Sequence, residues 1–223
     1  KKNVNINFKF NLENLNILQI LHKNKNLIIN LKSSSISTFF LTIMTSIDII
    51  LFRKLYPNDL SGFYSAISTL AKIPLFLSAI TFTYFLTETS DNFYKKKNTS
   101  LILYYNLITN LIIFLIFISI FKIYGSEILM LIFKKEYNIF GNDLYYLTLA
   151  FAFVGFIKIL ILFLLSKNDN GYAPFLFLGI FFTLILCIFS DDYKAFINIM
   201  IYGYFVNCLL MIIYTFKKLK KIN

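Results

Sequence analysis

The chain has 223 residues, 58% of them hydrophobic and only 15% charged, with a mean hydropathy of +0.70 and a formal net charge of +11. A soluble domain of this length carries about half apolar and a quarter charged residues, so the composition excludes one and marks an integral membrane protein. His22 is the only histidine, which excludes a His-based metal cluster or a Ser-His-Asp triad within the chain.

Residues 1–32 form a polar leader with a weak amphipathic stripe at Leu12, Leu15, Leu18 and Leu21, and are expected to be a cytoplasmic linker lying on or near the inner membrane face. Six apolar runs follow, at 33–52, 63–85, 101–121, 144–165, 174–190 and 195–216, each of about the length that crosses a ~30 Å hydrocarbon core as a helix. Most connections are short and polar. The exception is 122–143, where SEILMLIF is too short to span and reads as an interfacial or re-entrant helix. Residues 217–223 form a basic cytoplasmic tail. The predicted fold is an all-α, polytopic membrane bundle of six helices occupying 33–216.

Basic residues set the orientation. With the N-terminus inside, fourteen of the 22 Lys and Arg fall in inner segments, six in outer ones, and Lys72 and Lys158 lie within spans. The positive-inside rule therefore places both termini of the chain in the cytoplasm and the bundle in the cytoplasmic membrane. The positive charge is mostly topology, and no nucleic-acid partner is expected. Cys187 and Cys208 both fall in apolar runs and read as small buried hydrophobes. No P-loop, GxGxxG or CxxC pattern occurs, so no cofactor, metal or catalytic residue is predicted and the chain is not read as an enzyme.

Three ionisable groups lie at membrane depth: Asp48, Lys72 and Lys158. Each costs at least ~2.5–3.5 kcal/mol to insert, so each is expected to face a bundle interior or an aqueous cavity. The helical rise puts Asp48 about 6 Å, Lys72 about 14 Å and Lys158 about 21 Å from the outer side, at staggered depths. Ser35, Thr38, Thr42, Thr45 and Asp48 share one face of the first span, and Ser61, Ser65, Ser68 and Lys72 one face of the second. Asn106 and Asn110 pair at i, i+4 on the third, while Thr148, Gly155 and Lys158 share a face of the fourth. Pro74 removes a backbone donor just past Lys72 and is placed to kink the second span. The pattern predicts a polar, partly cationic cavity suited to a phosphate or diphosphate headgroup, lined by Lys72, Lys158, Asn106 and Asn110.

The span ending in SIDIILF, its short basic loop, and the following LSGFYSAISTLAKIPLFLSAITFTYF together resemble the C-terminal half of polysaccharide-exporter flippases. These belong to the multidrug/oligosaccharidyl-lipid/polysaccharide superfamily. Asp48 matches the Asp of that family's seventh span, and Gly62 and Tyr64 its Gly-x-Tyr at the start of the eighth. SEILMLIFKKEYNIFGNDLYYLTLAF is similar to its outer segment, and the leader looks like the linker between its two halves. One departure is plain: many relatives end the eighth span with Phe-Pro, whereas Phe85 is followed here by Leu86.

The resemblance implies one lobe of a bilobal transporter, partnered by an N-terminal half, that moves polyprenyl-diphosphate-linked oligosaccharide across the membrane by alternating access without ATP. Lys72 and Lys158 would then contact the diphosphate, and Asp48 would be a gate, a lysine partner or a coupling-ion site. A peptidoglycan-precursor flippase and a multidrug antiporter are the rivals within the superfamily. Outside it stand a membrane-embedded polymerase or glycosyltransferase fragment, for which the outer segment offers Glu127, Glu136 and Asp143, and a plain membrane anchor.

Overall fold

The computed structural model describes residues 25–222 except 96, 97, 134, 168 and 170, with side chains described between 34 and 219. Residues 1–24 of the expected linker, including its leucine stripe, and Asn223 of the tail lie outside the described residues. The described elements are all helical: α1 (Lys25–Leu55), α2 (Asn58–Ala71), α3 (Ile73–Tyr94), α4 (Ser100–Ile132), a 3-10 turn (Lys135–Phe140), α5 (Gly141–Ser166), α6 (Ala173–Ile188) and α7 (Tyr193–Ile222). Five segments are long and apolar enough to cross a membrane, α2 and α3 counting as one. The sixth, α6, has 16 residues, about 24 Å of helix, and is a shorter apolar helix. The fold is the all-α polytopic bundle that the hydropathy pattern predicts.

Helix starts follow local chemistry. Pro57 closes the turn after α1 and caps α2, whose first turn carries Asp59. Pro74 and Pro174 lie in the first turns of α3 and α6, where a missing N–H leaves no bond unmade. The second apolar run is accordingly broken at Lys72, whose N–H reaches back only to the Thr69 carbonyl at 3.3 Å. Lys72 is thus the joint between α2 and α3. Beyond it α3 runs without interruption past Phe85 and Leu86 to Tyr94.

The structure corrects the reading of SEILMLIF. Residues 126–132 are the last turns of α4, continuous with the third span, and not a separate interfacial or re-entrant helix. No proline separates Phe121 from Ile132, and Gly125 lets this end of α4 approach α5 closely. A Cβ on Gly125 would lie 2.7 Å from the Gly141 carbonyl oxygen. Leu129, fully buried, carries the α4 contact surface onward. The helices also overrun the predicted domain limits, α1 beginning at Lys25 and α7 continuing through the basic tail to Ile222.

α5 is the central post. It packs against α1, α2, α3, α4 and α7, and from Leu144 to Leu164 its buried residues point in every direction, as its uniform apolarity requires. The other helices bury one stripe and expose the rest: Ile80, Ile108, Leu115, Phe177 and Phe182 are bare large side chains on the outside of the bundle. Apolar surface on this scale is what a bilayer covers.

Candidate functional site

The buried stripe of α1 is Ser37, Met44, Asp48 and Phe52, at spacings of seven, four and four. It is not the Ser/Thr stripe that the sequence suggests. Thr38 and Thr42 are exposed, and they and Thr45 satisfy their hydroxyls on their own helix, donating to the carbonyls of Ser34, Thr38 and Leu41 at 2.9, 2.8 and 3.0 Å. A membrane helix accommodates such hydroxyls on any face by this back-bonding. On α2 the predicted stripe does face inward, with Ser61, Ser68 and Lys72 buried and Ser65 half-buried.

Asp48, at 0% exposure, meets that α2 face. The Lys72 ammonium donates to Oδ1 at 3.0 Å and to Oδ2 at 3.1 Å. The Ser68 hydroxyl donates to Oδ2 at 2.5 Å and the Tyr64 phenol to the same oxygen at 3.3 Å. Tyr64, Ser68 and Lys72 stand at i, i+4 and i+8, so one helical face presents all three donors to one carboxylate. The staggered depths do not prevent the pairing, because α2 starts at Asn58, five residues before the predicted span, and the lysine stem bridges the remainder. The ammonium also lies 4.7 Å from the centroid of the Phe151 ring on α5.

Aromatic rings close this pair on the side of the α1–α2 turn. Phe52 stacks on Tyr64 with centroids 3.9 Å apart, and Phe196 of α7 meets both edge-on at 5.3 and 5.7 Å. Tyr204 of α7 donates to the Met44 carbonyl at 2.8 Å, one turn below Asp48. The ion pair therefore joins α1 to the α2–α3 joint inside a buried, aromatic-walled site. Pairs of this kind add little to stability over an apolar match, but they are strongly destabilising when half of the pair is removed. Tyr64 enters the sequence reading only through its Gly-x-Tyr spacing; its i, i+4 relation to Ser68 is the signal that places it beside the carboxylate.

Lys158, Asn106 and Asn110 gather elsewhere, where α3, α4 and α5 meet. Gly155 makes room for them: a Cβ there would lie 3.1 Å from Asn110 Nδ2 and 2.8 Å from Phe114 Cε2. Asn110 is fully buried, and among the described residues neither its Oδ1 nor its Nδ2 has a hydrogen-bond partner; Asn106 Oδ1 is likewise unpaired there. Asn106 lines a narrow crevice of about 10 Å³ with Thr89 and Phe85 of α3 and Ile159 and Phe163 of α5. Lys158, half-buried one turn beyond Gly155, holds its ammonium 4.9 Å from the Phe82 ring centroid and forms no ion pair among the described residues. Buried amides normally find partners. Two with unmet capacity, one of them packed on Gly155 a turn from an uncompensated cation, make this junction a candidate for a polar ligand.

The four predicted cavity residues are thus divided. Lys72 belongs with Asp48; Lys158, Asn106 and Asn110 belong together. Phe151, which the Lys72 ammonium faces, and Lys158 are seven residues apart on α5, about 10 Å of helix. Asn207 of α7, also buried with both amide atoms unpaired, packs on Gly179 of α6, away from both sites. Cys187 and Cys208 are buried free thiols.

No family model matches this chain, and neither the curated proteins nor the solved structures contain a match.

Proposed function

We propose that this chain is one lobe of a membrane flippase that translocates polyprenyl-diphosphate-linked oligosaccharide by alternating access, together with a second helical lobe. The observation that carries the reading is Lys158: an uncompensated ammonium inside an apolar bundle, beside the unpaired amides of Asn106 and Asn110. A diphosphate headgroup supplies negative charge for the lysine and an acceptor oxygen for Asn110 Nδ2, and the hydroxyls of the linked sugar supply donors for the unpaired Oδ1 atoms of Asn106 and Asn110. Lys72 plays a different part in this state. Its charge is matched by Asp48, so it becomes available to a substrate only when the α2–α3 joint moves and the pair opens. The pair is then a conformational latch. The antiporter alternative needs a deep carboxylate free to bind a cation; Asp48 already has its cation, and Asp143, the other buried carboxylate among the described residues, lies in the first turn of α5 at one end of the bundle.

Export of surface polysaccharide in a deletion strain complemented with Lys158→Gln tests the reading. Export should fall by about tenfold or more at normal protein abundance, and Lys158→Arg should retain most of it. Wild-type export by the Gln variant would overturn the assignment.

A further inference from the structure

The end of the bundle that holds the α4–α5 and α6–α7 connections contains a second polar site, independent of the transport reading. A cavity of about 330 Å³ opens there between α5 and α7, lined by Asn142, Asp143 and Tyr146 of α5 and Lys194, Ile197 and Asn198 of α7. Its volume lies within the range of small-ligand sites. Asp143 is 8% exposed, lines this cavity, and has no hydrogen-bond or ion-pair partner among the described residues. Lys194 is near enough for its charge to be felt at Asp143, yet the two form no ion pair, and both line the cavity. The lysine ammonium rests 5.9 Å from the Tyr193 ring centroid.

Opposite charges that face a common space without closing on each other match a ligand carrying both signs. We infer that this cavity binds a zwitterionic aminophosphate, the headgroup of an ethanolamine phospholipid. The primary ammonium would donate to the Asp143 carboxylate and to an amide oxygen of Asn142 or Asn198. The phosphodiester would accept from Lys194, whose place in the first turn of α7 adds that helix's positive end to its own charge. A primary ammonium fits better than a quaternary one, because the lining offers carboxylate and amide acceptors and a single half-open ring, Tyr146, where a quaternary group needs an aromatic cage. The cavity sits at the starts of two spanning helices, the level at which headgroups lie and tyrosines concentrate.

The test is lipid retention by the purified protein in phosphatidylglycerol nanodiscs doped with either phosphatidylethanolamine or phosphatidylcholine, read by native mass spectrometry. The ethanolamine lipid should be retained about tenfold more than the choline lipid, and Asp143→Asn and Lys194→Gln should each remove that preference. Unchanged Tm values of both variants in pure phosphatidylglycerol establish that they fold, and Lys194, being exposed, is the safer of the two. Soluble phosphoethanolamine that displaces the lipid assigns recognition to the headgroup alone; failure to displace it assigns recognition to the intact lipid. Equal retention of both lipids, or a preference that survives both substitutions, overturns the proposal.

Discussion

Lys72→Met removes one half of a pair whose other half has no route to solvent. In the wild type Asp48 receives two contacts from the ammonium, at 3.0 and 3.1 Å, and two hydroxyl hydrogen bonds from Ser68 and Tyr64. The variant keeps only the hydroxyls, leaving a carboxylate at 0% exposure without a counter-charge. Breaking such a pair costs about 3–5 kcal/mol. Asp48→Asn strands the ammonium instead, with the Phe151 ring as its remaining partner, and belongs in the same range. In the double variant the carboxamide that replaces the Asp48 carboxylate still accepts from Ser68 and no charge is left over, so most of the loss should be recovered. Equilibrium unfolding in detergent micelles across the four proteins gives the cycle, with an expected coupling of at least about 3 kcal/mol, the size of one single loss. Additive effects, or single variants each within about 0.5 kcal/mol of wild type, would refute the buried-pair argument.

Two further outcomes follow from the packing. Gly155→Val should destabilise the bundle by about 1–3 kcal/mol, because its first added carbon already lies 2.8 Å from Phe114 Cε2 on α4; the same unfolding assay reads it. At the opposite rim, Asp169 ties the α5–α6 connection to α7 by accepting from Lys218 at 2.7 Å, Tyr214 at 2.8 Å and the Gly171 amide at 3.0 Å. Burial raises the Asp169 pKa, but these hydrogen bonds together hold it below the ordinary carboxylate range. A depressed folded value contributes stability that is complete above the unfolded pKa and lost as pH falls through the folded one. Asp169→Asn should therefore remove part of the acid-side fall in Tm below about pH 4 while changing its slope little near neutrality.

The spans are legible because hydrophobic runs of membrane length have few other uses, and the order of six apolar helices survives intact in the structure. Their faces are less legible. Thr38 and Thr42 look inward in sequence, yet they point outward, since each hydroxyl finds an acceptor four residues back on its own helix. Asp48 and Lys72 have no such local escape for a charge, and they do face inward, with Ser68 beside them. The continuation of α4 through 126–132 is hidden by two charged residues, Lys122 and Glu127, that interrupt the apolar run without breaking the helix. What no pattern reveals is which cation meets the carboxylate. Lys72 and Lys158 are equivalent as buried lysines in sequence, and only the packing around α5 assigns one to Asp48 and leaves the other beside Asn106 and Asn110.

On the proposed reading Lys158 meets a diphosphate during translocation. The most direct test is the transfer of a fluorescent polyprenyl-diphosphate oligosaccharide between leaflets of proteoliposomes containing the full-length protein with its proposed second lobe. Wild type and Lys158→Arg should catalyse transfer, and Lys158→Gln should be slower by about tenfold or more, the loss of one charge-assisted contact. Transfer by Lys158→Gln at the wild-type rate, or none by the wild type, would contradict it.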